Sequence, residues 1–285
     1  MTLVVTGATG QLGRHVITEL LARGVPAGQI VAAVRQPEKA ADLAAQGVQV
    51  RQADYTKPDT LRTAFAGATK ILLISSSEVG QRAAQHANVI AAAKEAGAGL
   101  LAYTSIARAD SSTLQLAAEH QATEQLVRDS GLPFVLLRNG WYTENYTGQL
   151  AVHLEHGIVG SAGDGRVSAA TRADYAAAAA VVLATDGHEG QVYELGGDTA
   201  FTMAEYAAAL SAASGKAVTY TDLPVEAYTQ VLEGAGLPAP VASVLADADA
   251  GVARGELHVT SGDLARLAGR PTTPLDEAIK QALTA

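Results

Sequence analysis

Val4-Val5-Thr6-Gly7-Ala8-Thr9-Gly10-Gln11-Leu12-Gly13 is the stretch whose reading decides the fold. The apolar run Leu3 to Val5 reads as a buried strand. Three glycines follow at once, and Gln11 to Arg23 has the apolar spacing of a helix, with Gly24 just past its end. Strand, glycine turn and helix are the parts of a dinucleotide-binding unit. One glycine makes the tight turn, a second lets backbone N–H groups approach a pyrophosphate, and a third lets helix and strand pack closely. The helix N-terminus then sets its partial positive charge against the phosphates. The spacing is GxxGxxG rather than the commoner GxGxxG, and a purely structural turn is the alternative. The strand before it and the helix behind it favour the dinucleotide.

Working outward, strand and helix patterns alternate. Strands are predicted at Ile30 to Val34, Val48 to Gln52, Ile71 to Ile74, Leu100 to Tyr103 and Phe134 to Leu137. Helices are predicted at Pro37 to Gln46, Pro58 to Ala66, Val79 to Ala96 and Leu114 to Ser130. Gly47, Gly67, Gly97 and Gly131 each sit just past a helical run, and Pro58 suits a first helical turn. Repeated βα units imply an α/β fold, a doubly wound parallel sheet with ligands bound beyond the carboxyl ends of its strands.

The residues after each strand therefore carry the functional reading. Arg35 ends the second strand where a carboxylate would bind a ribose 2′-hydroxyl; with Gln36 beside it and Lys39 a turn on, a 2′-phosphate fits better, which favours NADPH. A surface arginine is the bland alternative. Asp54, after the third strand, suits either an adenine amino group or an N-cap or turn. Ser75, Ser76 and Ser77 could admit a cofactor backbone, or cap the helix expected from Val79. Tyr103-Thr104-Ser105 would face the nicotinamide ribose.

The segment Leu137-Arg138-Asn139-Gly140-Trp141-Tyr142-Thr143-Glu144-Asn145-Tyr146 holds the only tryptophan and two of the nine tyrosines. Aromatic and amide groups at a strand's carboxyl end suit the stacking of a flat conjugated ligand. The other reading is that Trp141 and Tyr146 plug two lobes together, although Asn139 is harder to explain as packing. Beyond it come a helix to His156, a glycine-rich loop from Gly157 to Gly165, and Thr171 as N-cap of an alanine-rich helix. A late strand, Val192 to Leu195, rejoins the sheet, and a mainly helical remainder begins near Thr202. The division expected is 1–140 plus about 171–196 for the cofactor, and about 141–170 with 197–285 for a smaller substrate lobe.

Composition narrows the classes. A net charge of −9 argues against nucleic acid as a partner, because phosphate binding needs clustered Lys and Arg. The absence of cysteine removes disulfides, thiolate nucleophiles and Cys-ligated zinc. The longest apolar run, Ala176 to Ala184, is far short of the ~20 residues of a membrane span. The chain enters a strand with no signal-like segment before it, so a cytoplasmic protein is expected. His153 and His156 could pair as metal ligands but are expected to be solvated, with no metal bound. His120 and Glu124 share a helix face suited to an ion pair or hydrogen bond. Asp164-Gly165-Arg166 reads as a turn, and Glu226, Glu233 and Asp247 to Asp249 read as acidic surface. The helices at 79–96 and 114–130 could form a homodimer face.

GATGQLG at the start, ISSSEVGQR, Ser-Gly-Leu-Pro before the sixth strand, LRNGWYTENY, Ala170-Thr-Arg-Ala-Asp-Tyr and Gly190-Gln-Val-Tyr-Glu-Leu together resemble the NmrA-like atypical short-chain dehydrogenases/reductases. Within that family the chain is most similar to the zinc-free NADPH:quinone oxidoreductases, with the triphenylmethane-dye reductases next. The resemblance implies a Rossmann-type domain with a smaller, mainly helical C-terminal lobe, and NADPH in the cleft between them. It implies that Gly7, Ala8, Thr9, Gly10, Gln11 and Leu12 meet the pyrophosphate and Arg35 the 2′-phosphate. Ser75 to Ser77 would line phosphates and ribose, Asn139, Gly140, Trp141, Tyr142, Thr143 and Glu144 would border nicotinamide and substrate, and Arg172 would hold the cofactor or close the cleft. Asn139 and Tyr142 are the candidate catalytic residues.

One departure bears on mechanism. Short-chain enzymes carry Tyr-x-x-x-Lys to protonate a carbonyl oxygen, and that motif is absent; Leu116 and His120 stand at the comparable positions. A quinone needs no such acid, since hydride addition gives a delocalised anion that water protonates, and positioning of the two rings suffices. A quinone or cationic or azo dye is the expected small-molecule acceptor. A non-catalytic NADP(H) sensor is the reading from another class, disfavoured because a sensor needs no aromatic slot.

Overall fold

The computed structural model describes residues 1–284. Seven strands form one parallel sheet: β1 (Leu3–Thr6), β2 (Ile30–Val34), β3 (Gln49–Gln52), β4 (Lys70–Leu73), β5 (Leu100–Ile106), β6 (Phe134–Asn139) and, after the β7 described below, β8 (Val192–Leu195). Their order is β3-β2-β1-β4-β5-β6-β8, so the winding reverses between β1 and β4. That reversal opens a crevice at the carboxyl ends of β1 and β4, the place where doubly wound sheets take ligands.

Alternation along each strand sends side chains to opposite faces. Leu3 and Val5 join a core with α1 (Gln11–Ala22), α8 (Arg172–Ala184) and α12 (Asp263–Ala268). Val4 turns to the other face, toward α3 (Pro58–Phe65), α4 (Arg82–Glu95) and α5 (Ala117–Asp129). The short helix α2 (Ala41–Ala45) leads into β3, an edge strand with a polar, partly exposed sequence, as an unpaired edge requires. The alanine tract buries Ala176 to Ala180 and lets α8 lie closely against α1 and the sheet. Thr171 caps α8 as expected, its hydroxyl accepting from the Asp174 N–H. Gly24, Gly47, Gly67, Gly97 and Gly131 all adopt positive φ past their helices.

A third core lies beyond the sheet's carboxyl end. It joins Ile106, Leu114, Tyr146, Leu150, Phe201, Tyr206, Val252 and Ile279. Its elements are α6 (Glu144–Thr147), α7 (Leu150–His156), β7 (Ile158–Gly160), α9 (Met203–Ser214), β9 (Tyr220–Asp222), α11 (Ala239–Ala253) and α13 (Leu275–Thr284), with α10 (Val225–Gly234) packed outside on α11. Among the described residues no helix is long and apolar enough to cross a membrane.

Five local readings change. The loop expected from Gly157 to Gly165 contains β7, which pairs in parallel with β9; three-residue strands separated by some sixty residues leave no local periodicity to read. The fourth helix begins at Arg82 rather than Val79, so Ser77 caps nothing. Its start is set from outside, by Glu119 Oε1 accepting from the N–H groups of Gly80 (2.9 Å) and Arg82 (3.3 Å). His153 is buried with its ring 3.1 Å from the Tyr206 hydroxyl, whereas His156 is exposed, so the two are not a solvated pair. Asp247 and Asp249 are half-buried and accept from the backbone of Gln115 (2.7 Å) and Ser161 (3.0 Å); they tie α11 inward rather than forming acidic surface. His120 and Glu124 do not pair: the histidine meets Tyr103 and the glutamate meets Arg138.

Candidate active site

The glycine turn is built to leave backbone exposed. Gly7 has φ +58°, and the Gly10 N–H closes the turn on the Gly7 carbonyl at 2.9 Å. A Cβ on Gly10 would stand 3.1 Å from that carbonyl, and one on Gly13 would stand 2.7 Å from Ala8 Cα. No side chain caps α1, and its first turn carries no acid. Its leading N–H groups thus face the crevice without partners from their own helix, which suits an anion. Ala8 is fully buried behind the turn and its N–H points back to Ala33, so it supports the cradle without lining it.

From this turn a cleft of about 750 Å³ runs across the carboxyl ends of β1, β4, β5 and β6. At one end it meets a smaller recess of about 460 Å³ lined by Thr9, Gly10, Arg14, Arg35, Gln36 and Lys39. Arg35 and Lys39 were legible in the sequence; Arg14 was not, because it lies on the outer face of α1. Arg14 is paired with Asp42, Arg35 reaches Glu78 at 2.9 Å, and Lys39 has no carboxylate partner among the described residues. Three cations about one recess fit a phosphate monoester on the ribose. Asp54 lines the cleft and also makes a turn, accepting from the N–H (3.0 Å) and hydroxyl (2.7 Å) of Thr56; Lys57, not Asp54, stands at the helix N-cap.

Ser75, Ser76 and Ser77 line the middle of the cleft. The Ser75 N–H is tied to the Thr104 hydroxyl at 2.9 Å, which locks β4's exit to β5. β5 runs three residues beyond its expected end, so Thr104, Ser105 and Ile106 reach the cleft and Tyr103 does not. Tyr103 is fully buried, with its hydroxyl 2.7 Å from His120 Nδ1. Its expected place beside the ribose is therefore corrected: in the longer strand it lies short of the carboxyl-end residues and packs into the helix layer.

At the far end Asn139, Gly140, Trp141, Tyr142, Asn145 and Arg172 come together. Gly140 is held by its N–H on the Leu195 carbonyl at 2.7 Å, and a Cβ there would stand 3.1 Å from the Tyr175 hydroxyl. The Asn139 amide donates to the Tyr142 hydroxyl at 3.3 Å. The Arg172 guanidinium lies 4.5 Å over the Tyr142 ring, and Tyr175 packs edge-on against that ring at 5.3 Å. Burial pushes the Tyr142 phenol above its ordinary range, outweighing Asn139 and Arg172, so at neutral pH it keeps its proton. Thr143 is buried and bonded through its N–H to Ala170. Glu144 accepts from the Arg172 N–H at 2.8 Å and pairs with its guanidinium. Both residues stand behind the cleft wall, and Glu144 orients Arg172. Trp141 lines the cleft while packing on the third core, and Tyr146 is buried in that core, so a slot and a plug coexist in one segment.

Arg138 was quoted in the sequence without a role. It is buried and donates to Glu124 from Nε (2.9 Å) and Nη2 (2.8 Å), and to Glu194 from Nη1 (2.9 Å). Ser105 also donates to Glu124, at 2.6 Å. This fork joins α5, β5, β6 and β8 directly beneath Asn139. Removing one member would strand a buried charge.

A family model described as NAD(P)H-binding matches residues 7–186. The chain is 55% identical over 278 residues to quinone oxidoreductase 2 of Escherichia coli, with 97% of each chain covered. The crystal structure of the NADPH-dependent quinone oxidoreductase from that organism, complexed with NADPH, superposes with a TM-score of 0.96 at 53% identity, covering 99% of this chain and 100% of that one. The Citrobacter triphenylmethane reductase complexed with NADP(H) gives a TM-score of 0.93 at 44% identity, over 99% and 100% of the two chains.

Proposed function

The chain belongs to the NAD(P)H-binding family, and from that membership we propose that it is an NADPH-dependent oxidoreductase that reduces a quinone or a similarly conjugated acceptor. The observation that carries this reading is one continuous cleft. It joins a glycine cradle and a three-cation recess to an aromatic and amide wall, with no Tyr-x-x-x-Lys pair beside it.

Bound in the cleft, NADPH supplies the hydride. Gly7, Thr9, Gly10, Gln11 and Leu12 hold its pyrophosphate, Arg35 with Arg14 and Lys39 holds the 2′-phosphate, and Ser75 to Ser77 border the ribose. Asn139, Tyr142 and Trp141 orient the acceptor ring, and Arg172 keeps Tyr142 in place from above. Ile106 and Leu116 add an apolar wall that thins the water around the reacting faces. Tyr142 orients rather than protonates, because its phenol holds its proton tightly. On this reading residues 1–140 with 171–196 form the cofactor unit, and 141–170 with 197–285 the acceptor lobe. The protein works in the cytoplasm, and α4 and α5, packed side by side, offer a face for pairing two copies.

The test is direct. Purified protein with NADPH and 1,4-benzoquinone, menadione or a triphenylmethane dye should consume NADPH absorbance. No loss with any of the three sinks the reading. Turnover of the dye alone would favour the dye-reductase alternative, which the likeness to the Citrobacter enzyme supports.

A further inference from the structure

The two positions that Tyr-x-x-x-Lys would occupy, Leu116 and His120, both line the cleft. His120 is buried apart from that contact, and its ring is fixed from behind by Tyr103, whose hydroxyl is 2.7 Å from Nδ1. Neighbouring bonds settle which way this one points. The Ser76 N–H donates to His86 Nε2 at 3.0 Å, so His86 Nδ1 carries the hydrogen and donates to Thr123 Oγ1 at 2.9 Å. Thr123 in turn donates to the Glu119 carbonyl at 2.9 Å. The Tyr103 hydroxyl also has the Thr123 hydroxyl beside it, but Thr123 already takes a hydrogen from His86 and gives its own to Glu119, so the hydrogen of the buried Tyr103 hydroxyl goes to His120 Nδ1 at 2.7 Å. The hydrogen of a neutral His120 therefore sits on Nε2, which has no partner among the described residues.

Beside it stands Arg82, also buried and also on the cleft wall. Its Nε donates to the Ser76 carbonyl at 2.6 Å, while Nη1 makes no hydrogen bond and lies 3.9 Å from Glu119 Oε2. The other nearby carboxylate, Glu124, is taken up by Arg138 and Ser105. Burial, with the charge of Arg82 and the ring of His86, holds His120 well below its ordinary range, at about 3, so it is a neutral donor throughout the working pH.

We propose that His120 Nε2, backed by the Arg82 guanidinium, is the hydrogen-bond donor for the acceptor oxygen on which negative charge develops, an oxyanion-binding corner in the place of the missing tyrosine and lysine. The proposal rests on the quinone-reductase reading above. The quinone takes up a hydride, two electrons with one hydrogen, and becomes the hydroquinone monoanion; one proton from water completes the hydroquinone. His120 keeps its Nε2 hydrogen throughout, since releasing it would leave an imidazolate. Preorganised donors of this kind act where charge appears and are strongest in a partly dry site.

The experiment uses two readouts on the full chain. With NADP⁺ bound, 4-nitrophenol serves as a redox-inert probe whose absorbance reports its ionisation. Bound to the wild type it should ionise about one pH unit below its free value, tenfold in the constant. His120→Leu should abolish that shift and lower kcat for menadione roughly 10- to 100-fold, with the NADPH Kd unchanged. His120→Gln, which keeps a donor, should restore part of both. Tyr103→Phe, which unlocks the tautomer, should lower kcat severalfold without changing NADPH binding. Nitrogen-15 NMR of the wild type should show the Nε2–H tautomer. An Nδ1–H tautomer, or an unshifted probe in the wild type, overturns the proposal, and so does a shift and kcat that survive His120→Leu. If the wild type turns over no quinone, the functional reading falls, and the corner is judged on the probe shift and the tautomer.

Discussion

Replacing Arg35 with alanine should separate the two nicotinamide cofactors. Its guanidinium reaches Glu78 at 2.9 Å, but the two side chains are 68% and 46% exposed, so the pair is worth at most about 1 kcal/mol and yields readily to a phosphate. A charge-assisted bond to the 2′-phosphate contributes about 1.5–3 kcal/mol. Subtracting the cost of releasing Glu78 leaves about 0.5–2 kcal/mol, or about a 2- to 30-fold rise in the NADPH Kd. The loss stops there because Arg14 and Lys39 still face the recess. NADH has no 2′-phosphate, so its Kd should change by less than twofold. Glu78→Gln works in the opposite sense: without a carboxylate competing for Arg35, NADPH should tighten up to about fivefold. Calorimetric titration of each variant with each cofactor, at low and high salt, measures the difference, and added salt should shrink it because the recess is open to water. Equal changes for NADPH and NADH in Arg35→Ala would refute the reasoning and return Arg35 to the surface.

Three further outcomes follow from the same geometry. Gly13→Ala should cost about 1–3 kcal/mol in urea unfolding and weaken NADPH binding more than tenfold, because its methyl group meets Ala8 and the turn must move. Asp249, raised to about 6 by burial, holds its carboxylate at a cost that is absent below pH 4 and grows as pH rises through 6; Asp249→Asn should raise Tm at pH 7.5 and lose that advantage near pH 4.5. His86 and His120, lowered by burial to about 4 and about 3, contribute stability that is present above pH 6.5 and is lost as pH falls toward those values. Denaturant midpoints should therefore decline from pH 6.5 to 4.5, and less steeply in His120→Gln.

The sequence by itself determined the parallel sheet, the succession of its first six strands along the chain and the glycine cradle. Leu3 to Gly13 and the capping glycines are local signals, set by periodicity and by backbone conformations that few residues adopt. Arg35, Ser75 to Ser77 and Asn139 to Tyr142 could be named for a similar reason, since residues that follow strands of such a sheet fall on its ligand-binding edge. The tertiary structure decided everything that depends on partners distant in the chain. Glu119, thirty-seven residues beyond Arg82, sets where the fourth helix begins. β7 exists only because β9 pairs with it, and Arg14 joins Arg35 and Lys39 because α1 passes over the recess. Tyr103 left the cleft because β5 continues to Ile106, and by leaving it came to orient His120. A side chain's neighbours across a folded sheet are fixed by register and packing over the whole domain, and those long-range contacts leave no trace in the spacing of adjacent residues.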